Sequence, residues 1–257
     1  MAHTRQIAGE THAGSVQLKS LKIWPDRQVR AHALAQTLHW VHSSVPLDSV
    51  TTEALWQRLG SKTRNMVRQA EGHGLDFHDA TGTERGLDDW YALHLLTQKR
   101  LGVPPFPRRF FETMAAELGR IGAFRLYCVR QGEEPLAATL VLTHRNTAIY
   151  GYSASSRSAQ QLRANDLMLY RVMCRQIESG LAEFDMGSDA PTQESLLFFK
   201  RKWGAQQRPI PTYSFGAGSQ AITDSSSQRY ALARKVFTHL PTPLSSLAGR
   251  LAVRYFG

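Results

Sequence analysis

The sequence has few cysteines and no long apolar run. Cys128 and Cys174 are its only two cysteines, one on a predicted strand and one on a predicted helix, so we expect buried, reduced thiols. No run approaches the ~18 apolar residues that a membrane-spanning helix needs. Residues 1–5 also show no apolar core of a signal peptide. These absences predict a cytoplasmic protein rather than a disulfide-stabilised or membrane-spanning one.

The motifs of several enzyme classes are absent as well. The histidines show neither the His-Glu-x-x-His pattern nor a Cys/His ligand spacing, so we predict no metal site. The serine clusters at 155–156 and 225–227 lack the Gly-x-Ser-x-Gly context of a hydrolase nucleophile. Gly-x-Gly-x-x-Gly is also absent, which argues against a dinucleotide-binding fold.

Acidic residues are outnumbered by basic ones. The formal charge is +10 and the isoelectric point is near 9.9, while 42% of the residues are hydrophobic and 20% are charged. Such a chain can bury a core, and its charge fits an anionic partner: a nucleotide, a nucleic acid, an acidic glycan or a membrane surface. A solvated, arginine-rich surface explains the charge equally well. We recognise no nucleic-acid-binding motif.

Hydrophobic periodicity predicts one α/β unit after residue 74. A strand at 75–78 precedes helices at 84–101 and 108–122, which a stiff, proline-rich connection separates. The later elements follow in order: strands at 123–130, 135–143 and 147–153, a helix at 165–179, a strand from 183, a short helix through 200 and a strand near 211–215. Before this unit we predict strands at 16–21 and 39–47 and a helix at 52–71 that breaks near Gly60.

The stretch 183–205 combines a strand, a turn and a cationic helix. Phe184 and Met186 alternate with charged residues, which is the period-two pattern of a strand. Gly187 then breaks the strand. The following helix is expected to end at Gly204 and to press three apolar residues inward: Leu196, Leu197 and Phe199. A carboxylate at a strand end, followed by a cationic helix, can place acid, base and oxyanion groups beside one another.

Four short motifs give the chain a resemblance to a known family. They occur in this order: Ser61-Lys62-x-Arg64-Asn65-x-x-Arg68-x-Ala70, Lys99-Arg100-x-Gly102-x-Pro104, Phe184-Asp185-Met186-Gly187-Ser188 and Phe199-Lys200-x-x-Trp203-Gly204-Ala205. Together they resemble the Fem-like branch of the GNAT acyltransferases, over roughly residues 47–215. That branch includes the aminoacyltransferases that build peptidoglycan cross-bridges and relatives linked to exopolysaccharide or cell-envelope work. The resemblance implies an acyl- or aminoacyltransferase with a GNAT fold, an α/β architecture in which helices flank a mixed central sheet.

The resemblance also implies a domain organisation. Residues 51–218 are expected to form the GNAT-like acyltransferase domain, and residues 1–50 to be the remnant of a preceding GNAT-like domain. The chain is then either a single-domain variant or the downstream piece of a shortened or split protein, for which a partner chain could supply the first domain. A serine-rich linker and a basic, amphipathic helical tail follow at 219–257. Such a tail can pack on its own domain or on a partner, or it can lie on an anionic membrane. A position peripheral to the inner membrane is therefore the alternative to a purely cytoplasmic one.

Two residues are predicted to carry the chemistry, one of them from the resemblance. Lys200 matches the lysine of the family's Phe-Lys motif, which is implied to contact a substrate carboxylate or to stabilise developing charge. Asp185 is predicted to act as the base or to orient the acceptor amine. The alternative is that Asp185 caps the following loop through the amides of Gly187 and Ser188. Trp203 is expected in the core rather than beneath a substrate.

Three further residues are predicted to bind substrate. Arg64 and Arg68 are four positions apart and share a helix face, so they can grip a phosphate or a carboxylate; the alternative is a solvated basic face. Tyr152 lies on one of the two strands, 148–153 and 182–188, between which GNAT enzymes position their substrates. The expected substrate is an anionic small molecule or a nucleotide-linked precursor of the cell envelope or of a polysaccharide.

The acyl donor is left between acyl-coenzyme A and aminoacyl-tRNA. Coenzyme A-dependent GNAT enzymes hold the pyrophosphate on a Gln-x-x-Gly-x-Gly loop at a helix start. Residues 161–166 occupy that place without the glycines, Asp166 would repel a phosphate, and Asn165 is predicted to be an N-cap; these features argue against coenzyme A. The charge of +10 permits aminoacyl-tRNA, although the long helical arm typical of those enzymes is missing. The rival to catalysis is a non-catalytic remnant that binds a partner chain.

Overall fold

The computed structural model describes residues 2–11 and 13–216. The predicted linker and tail at 219–257 lie outside these residues. The strands are β1 (Ser15–Lys19), β2 (Ala35–Pro46), β3 (Asp76–Asp79), β4 (Phe124–Gln131), β5 (Glu134–His144), β6 (Thr147–Ser155), β7 (Glu183–Asp189) and β8 (Gln206–Gly216). The helices are α1 (Ala2–Glu10), α2 (Asp26–Ala31), α3 (Thr52–Arg58), α4 (Ser61–Gly72), α5 (Glu84–Leu101), α6 (Arg108–Arg120), α7 (Ser158–Gln161), α8 (Ala164–Glu178) and α9 (Glu194–Lys202). Within this described part, the helices are too short or too polar to cross a membrane.

The strands form one mixed sheet in the order β1-β8-β2-β7-β6-β5-β4-β3. β6 and β7 run parallel, and the other neighbouring strands are antiparallel. The predicted fold class is confirmed, since helices flank a mixed central sheet. β1 and β2 come from the region predicted to be the remnant of another domain, and they pair with β8 and β7 inside this same sheet.

Each face of the sheet carries its own apolar core. β4 shows the division, because its side chains alternate between the two faces: Tyr127 and Val129 belong to a first core, and Leu126 and Cys128 to a second. The first core also holds Phe184, Met186 and Trp203 and is covered by α4 and α8. The second core holds Trp90 and Phe111 and is covered by α5 and α6. The core position predicted for Trp203 is therefore confirmed.

α5 begins and ends where its capping residues predict. The side chain of Thr83 accepts a hydrogen bond from the amide of Gly86, which satisfies one unpaired donor of the first turn. Gly102 ends the helix in the left-handed conformation, with φ 66°, which costs glycine little. Its inner face carries Trp90 and Leu93, which are almost fully buried.

α9 differs from the expectation. Leu197 is buried as predicted, but Leu196 and Phe199 are exposed, at 39% and 36%, so the prediction that they point inward is wrong. The second buried residue of this helix is Lys200. Leu197 and Lys200 are three positions apart and therefore share a face. The polar partners of Lys200 draw that face inward and leave Leu196 and Phe199 at the rim.

The burial of the His94 imidazole in the second core can be tested by the pH dependence of stability. It stacks on Trp90 with ring centroids 4.9 Å apart, and its burial lowers its pKa to about 4. The unfolded chain then binds more protons than the folded chain between about pH 4 and the ordinary histidine pKa near 6.5. The contribution of the neutral, buried imidazole to the free energy of unfolding is therefore complete above that pH range and is lost as the pH falls through it. We expect His94→Phe to reduce the pH dependence of the free energy of unfolding by about 3 kcal/mol between pH 7 and pH 4, as measured by denaturant titration. An unchanged dependence would contradict the buried, neutral imidazole.

Candidate active site

The parallel strands β6 and β7 part at the middle of the sheet. Their pairing covers three residue pairs and ends at Ile149 and Asp185, although β6 continues to Ser155 and β7 to Asp189. β6 also contains a bulge opposite β5, where the register shifts between the pairs Thr139–Ser153 and Val141–Tyr150. Bulges commonly bend a strand beside a functional site. The result is a notch whose two walls are the carboxyl-terminal ends of β6 and β7.

A second bulge shapes the β7 wall of this notch. Between β2 and β7 the register moves from His42–Ser188 to Ser44–Asp185, so β7 holds one extra residue there. Gly187 lies in this bulge with φ 80°, a backbone conformation that strongly favours glycine. The Asp-Met-Gly-Ser sequence therefore forms the bulge because glycine stands at its one left-handed position.

The bulge turns one peptide group so that both of its polar atoms meet charged side chains. The amide of Gly187 donates to Oδ1 of Asp185 at 2.6 Å. The carbonyl of Met186, in the same peptide group, accepts from Nζ of Lys200 at 2.5 Å. Asp185 therefore has the loop-capping contact that was its alternative interpretation, here with Gly187. The Met186–Gly187 peptide links the two predicted catalytic residues from its two ends.

Lys200 is a buried cation with a buried counter-ion. Only 7% of Lys200 and 7% of Asp189 is exposed, and Nζ of Lys200 lies 2.6 Å from Oδ2 of Asp189. An ammonium group has three N–H donors. Among the described residues, one N–H donates to the Met186 carbonyl, whereas Asp189 is a counter-ion whose Oδ2 accepts no hydrogen bond, so a donor is left that can serve a substrate oxygen. Sequence reasoning missed Asp189, because a carboxylate before a proline turn resembles an ordinary turn residue.

His42 of β2 completes this cluster and was also missed. It is 3% exposed. Its Nε2 lies 3.7 Å from Oδ1 of Asp185, and its Nδ1 lies 3.3 Å from Oγ of Ser188. The sequence contains one usable signal, the run of consecutive polar residues at 42–44 between Val41 and Val45. The pattern does not say what that run faces, since β7 lies more than a hundred residues further along.

The two predicted catalytic residues reach the notch from opposite faces of the sheet. Phe184 and Met186 pack into the first core, and side chains alternate along a strand, so Asp185 faces the other side. Lys200 belongs to α9, and Trp203, which caps the end of this helix, packs into the first core. Two reactants that enter from the two faces could therefore meet in the notch.

A cationic cavity of about 390 Å³ lies between the end of β6, the start of α8 and α9. Its lining includes three cations, Arg100, Arg163 and Lys202, and one carboxylate, Asp166. Desolvation raises the pKa of Asp166, against the opposing effect of Lys202 and Arg163. Phe199, expected in the core, contributes to this lining instead. The cavity therefore offers a basic, partly apolar surface to an anion.

The start of α8 differs from the expectation. Arg163 precedes the helix in the left-handed conformation, with φ 57° and no side-chain cap, so the N-cap prediction for Asn165 is wrong. Asn165 lies in the first turn and donates from Nδ2 to Oγ of Ser155 at 3.3 Å. This contact ties the helix start to the end of β6.

The contacts of the three predicted substrate-binding residues are with residues outside the Lys200 cluster. Arg64 donates to Gln57 at 3.5 Å, and the Arg68 guanidinium lies 5.4 Å from the Trp56 ring, so both contact α3. Tyr152 lies edge-on to Phe111 in the second core, with ring centroids 5.1 Å apart, and burial raises its pKa. Their roles in substrate binding stay predictions.

Comparison with known proteins identifies the family to which this sheet, with its parted parallel strands, belongs. A profile of the acetyltransferase (GNAT) domain matches residues 58–201, more than half of the 257 residues. The chain therefore belongs to the GNAT acetyltransferase-domain family. A search of curated protein sequences finds no match.

Solved structures show the same fold at low sequence identity. FemX has 16% identity and a TM-score of 0.68, over 85% of this chain and 76% of that one. The C-terminal domain of a protein assigned as a lysylphosphatidylglycerol synthetase, from Agrobacterium fabrum, has 14% identity and a TM-score of 0.60, over 91% and 74%. L-PGS from Bacillus licheniformis has 12% identity and a TM-score of 0.58, over 93% and 78%.

The buried pair leads to a stability prediction. Lys200→Met leaves the Asp189 carboxylate buried without its cation, which typically costs about 3–5 kcal/mol. The double variant Lys200→Met/Asp189→Leu removes both charges, so we expect most of that loss to be recovered. The exposed neighbour Arg201 is the control, and Arg201→Ala should change stability by less than about 0.5 kcal/mol.

Denaturant unfolding at pH 7 measures all three variants. If Lys200→Met costs no more than Arg201→Ala, the ion pair is not buried in solution.

Proposed function

We propose that this chain is a Fem-like member of the family, an acyl- or aminoacyltransferase whose acceptor is an amine of a cell-envelope or polysaccharide precursor. The observation that carries the proposal is the notch between β6 and β7, with Lys200 at one wall and the cationic cavity beside it. The motif resemblance at 184–188 and 199–205 supports the Fem-like branch. The fold likeness to FemX and to lysylphosphatidylglycerol synthetase domains agrees with aminoacyl transfer.

The geometry suggests how the residues share the reaction. Acyl transfer to an amine needs the two reactants in contact, a proton acceptor and a group that stabilises a tetrahedral oxyanion. The remaining donor of Lys200 would bind the acyl oxygen, where negative charge develops. Asp185, from the opposite face, would take the proton of the attacking amine on its Oδ2, since Oδ1 already accepts from Gly187. As the new C–N bond forms, the ester or thioester bond to the donor would break, and the released tRNA hydroxyl or coenzyme A thiol would carry that proton away.

The cavity favours an acyl donor that carries phosphate. Three cations with one carboxylate leave an excess of positive charge in its lining, and none of the three forms one of the ion pairs between described residues. Aminoacyl-tRNA and acyl-coenzyme A both present phosphates to such a surface. The glycine-free turn at 161–166 restricts close backbone approach, so we favour aminoacyl-tRNA.

One observation favours the rival function, a non-catalytic protein that binds a partner chain. Lys200 and Asp185 both have structural partners inside the fold, so their presence can be explained without a substrate. Catalysis and scaffolding make different demands on the Lys200–Asp189 ion pair. A scaffold needs only the stability that this ion pair provides, whereas a transferase needs the Lys200 cation itself.

A donor-binding experiment tests the proposal. Purified protein is heated with acetyl-coenzyme A, with aminoacyl-tRNA or with a nucleotide-linked cell-wall precursor. A ligand at ~100 times its dissociation constant adds about 2.7 kcal/mol to the stability of the folded state. We expect aminoacyl-tRNA to raise Tm, and Arg163→Ala and Arg100→Ala to reduce that rise. Arg120→Ala, an exposed change on α6, is the matched control.

Transfer to an amine acceptor is then followed by mass spectrometry. Lys200→Met/Asp189→Leu should abolish product while the protein stays folded. Binding without transfer to any amine would favour the scaffold, whereas transfer that this double variant does not reduce would refute the catalytic role of Lys200.

A further inference from the structure

His42 is a buried imidazole with charged or polar groups on both flanking strands. On β7 it faces Asp185 and Ser188. On β8 its register partner is Arg208, which is exposed. Cross-strand partners lie on the same face of a sheet, so His42 stands between a carboxylate on one side and an exposed guanidinium on the other. Nothing in the proposed chemistry so far requires an imidazole at this position.

The contacts of His42 indicate which nitrogen carries its proton. An ionised carboxylate can only accept hydrogen bonds, so a proton on Nε2 suits the contact with Asp185. Nδ1 then accepts from the Ser188 hydroxyl at 3.3 Å. The distance of 3.7 Å between Nε2 and Asp185 makes that contact electrostatic rather than a hydrogen bond. A dipole aimed at Oδ1 restricts the orientation of the carboxylate.

The arrangement continues from Asp185 to the catalytic lysine. Oδ1 of Asp185 accepts from the Gly187 amide, the other end of that peptide accepts from Lys200, and Lys200 pairs with Asp189. Each group therefore orients the next, from one face of the sheet to the other. Because hydrogen-bonded groups polarise one another, a change at His42 should be felt at Lys200.

We propose that His42 is a positioning residue that fixes Lys200 through Asp185 and the Met186–Gly187 peptide. The inference rests on the proposed transferase function for its kinetic consequence, but its structural part does not. Without the imidazole, the Asp185 carboxylate can rotate away from Gly187. The peptide that aligns the lysine then loses its partner at one end.

The test uses substitutions that separate a positioning role from simple packing. His42→Leu fills the space but presents no N–H dipole to Asp185. His42→Gln places an amide N–H near the Nε2 position and should restore the contact. His78 provides the matched control, because its Nδ1 lies 3.3 Å from Asp76 in a second histidine–aspartate pair on β3.

Nuclear magnetic resonance gives the structural readout without any substrate. We expect His42→Leu to shift the Gly187 amide proton and the Lys200 side-chain signals, and His42→Gln to return them toward wild type. In the other direction, Lys200→Met/Asp189→Leu should shift the imidazole nitrogen signals of His42 and leave those of His78 unchanged. Unchanged His42 signals in that folded double variant, or unchanged Lys200 signals in His42→Leu, would overturn the proposal.

Turnover gives the second readout. We expect His42→Leu to lower kcat at least tenfold with little change in KM, His42→Gln to recover most of the loss, and His78→Leu to have no effect. Equal kcat values for His42→Leu and wild type would refute the positioning role even if the signals shift. If the wild-type protein transfers no acyl group, the proposed function fails by itself, and the resonance arms still decide whether His42 is coupled to Lys200.

Discussion

The Met186–Gly187 peptide is the connection on which the candidate site depends. Its amide fixes Asp185 and its carbonyl fixes Lys200, so the two groups that reach the notch from opposite faces have a common reference point. The peptide adopts this orientation within the bulge, and the bulge relies on the positive φ of Gly187. A backbone irregularity of one residue therefore sets the relative position of a carboxylate and an ammonium group.

The buried Lys200–Asp189 ion pair also holds α9 against β7. An ammonium buried as deeply as Lys200 is tolerated only with a counter-ion and hydrogen-bond acceptors, which Asp189 and Met186 supply. Both groups lie on β7, the strand that parts from β6. The same pairing that holds α9 against the sheet thus keeps the ammonium at the wall of the notch, so stability and the proposed chemistry draw on one interaction.

The sequence predicts most elements of this fold and few contacts of the site. Periodicity is sufficient for α5 and the hairpin strands, because each depends on local alternation and caps such as Thr83 and Gly102. It fails for Leu196 and Phe199, since the orientation of a short helix is decided by the polar partners of Lys200 in another strand. His42 was missed because its partners on β7 are set by long-range strand pairing, and Asp189 because it resembles an ordinary turn residue before Pro191.

The location of the positive charge is more informative than its total. Many arginines of the described chain are neutralised by nearby carboxylates, as in the pairs of Arg130 with Asp89, Arg171 with Glu71 and Arg175 with Glu178. The two exposed pairs, of Arg171 and Arg175, contribute little to stability, and all three pairs leave no local excess of charge. Arg100, Arg163 and Lys202 instead converge from three separate segments on one cavity whose single carboxylate is itself partly desolvated. A net charge of +10 could reflect any basic surface, whereas cations gathered beside a parted pair of strands are arranged as an anionic donor would require.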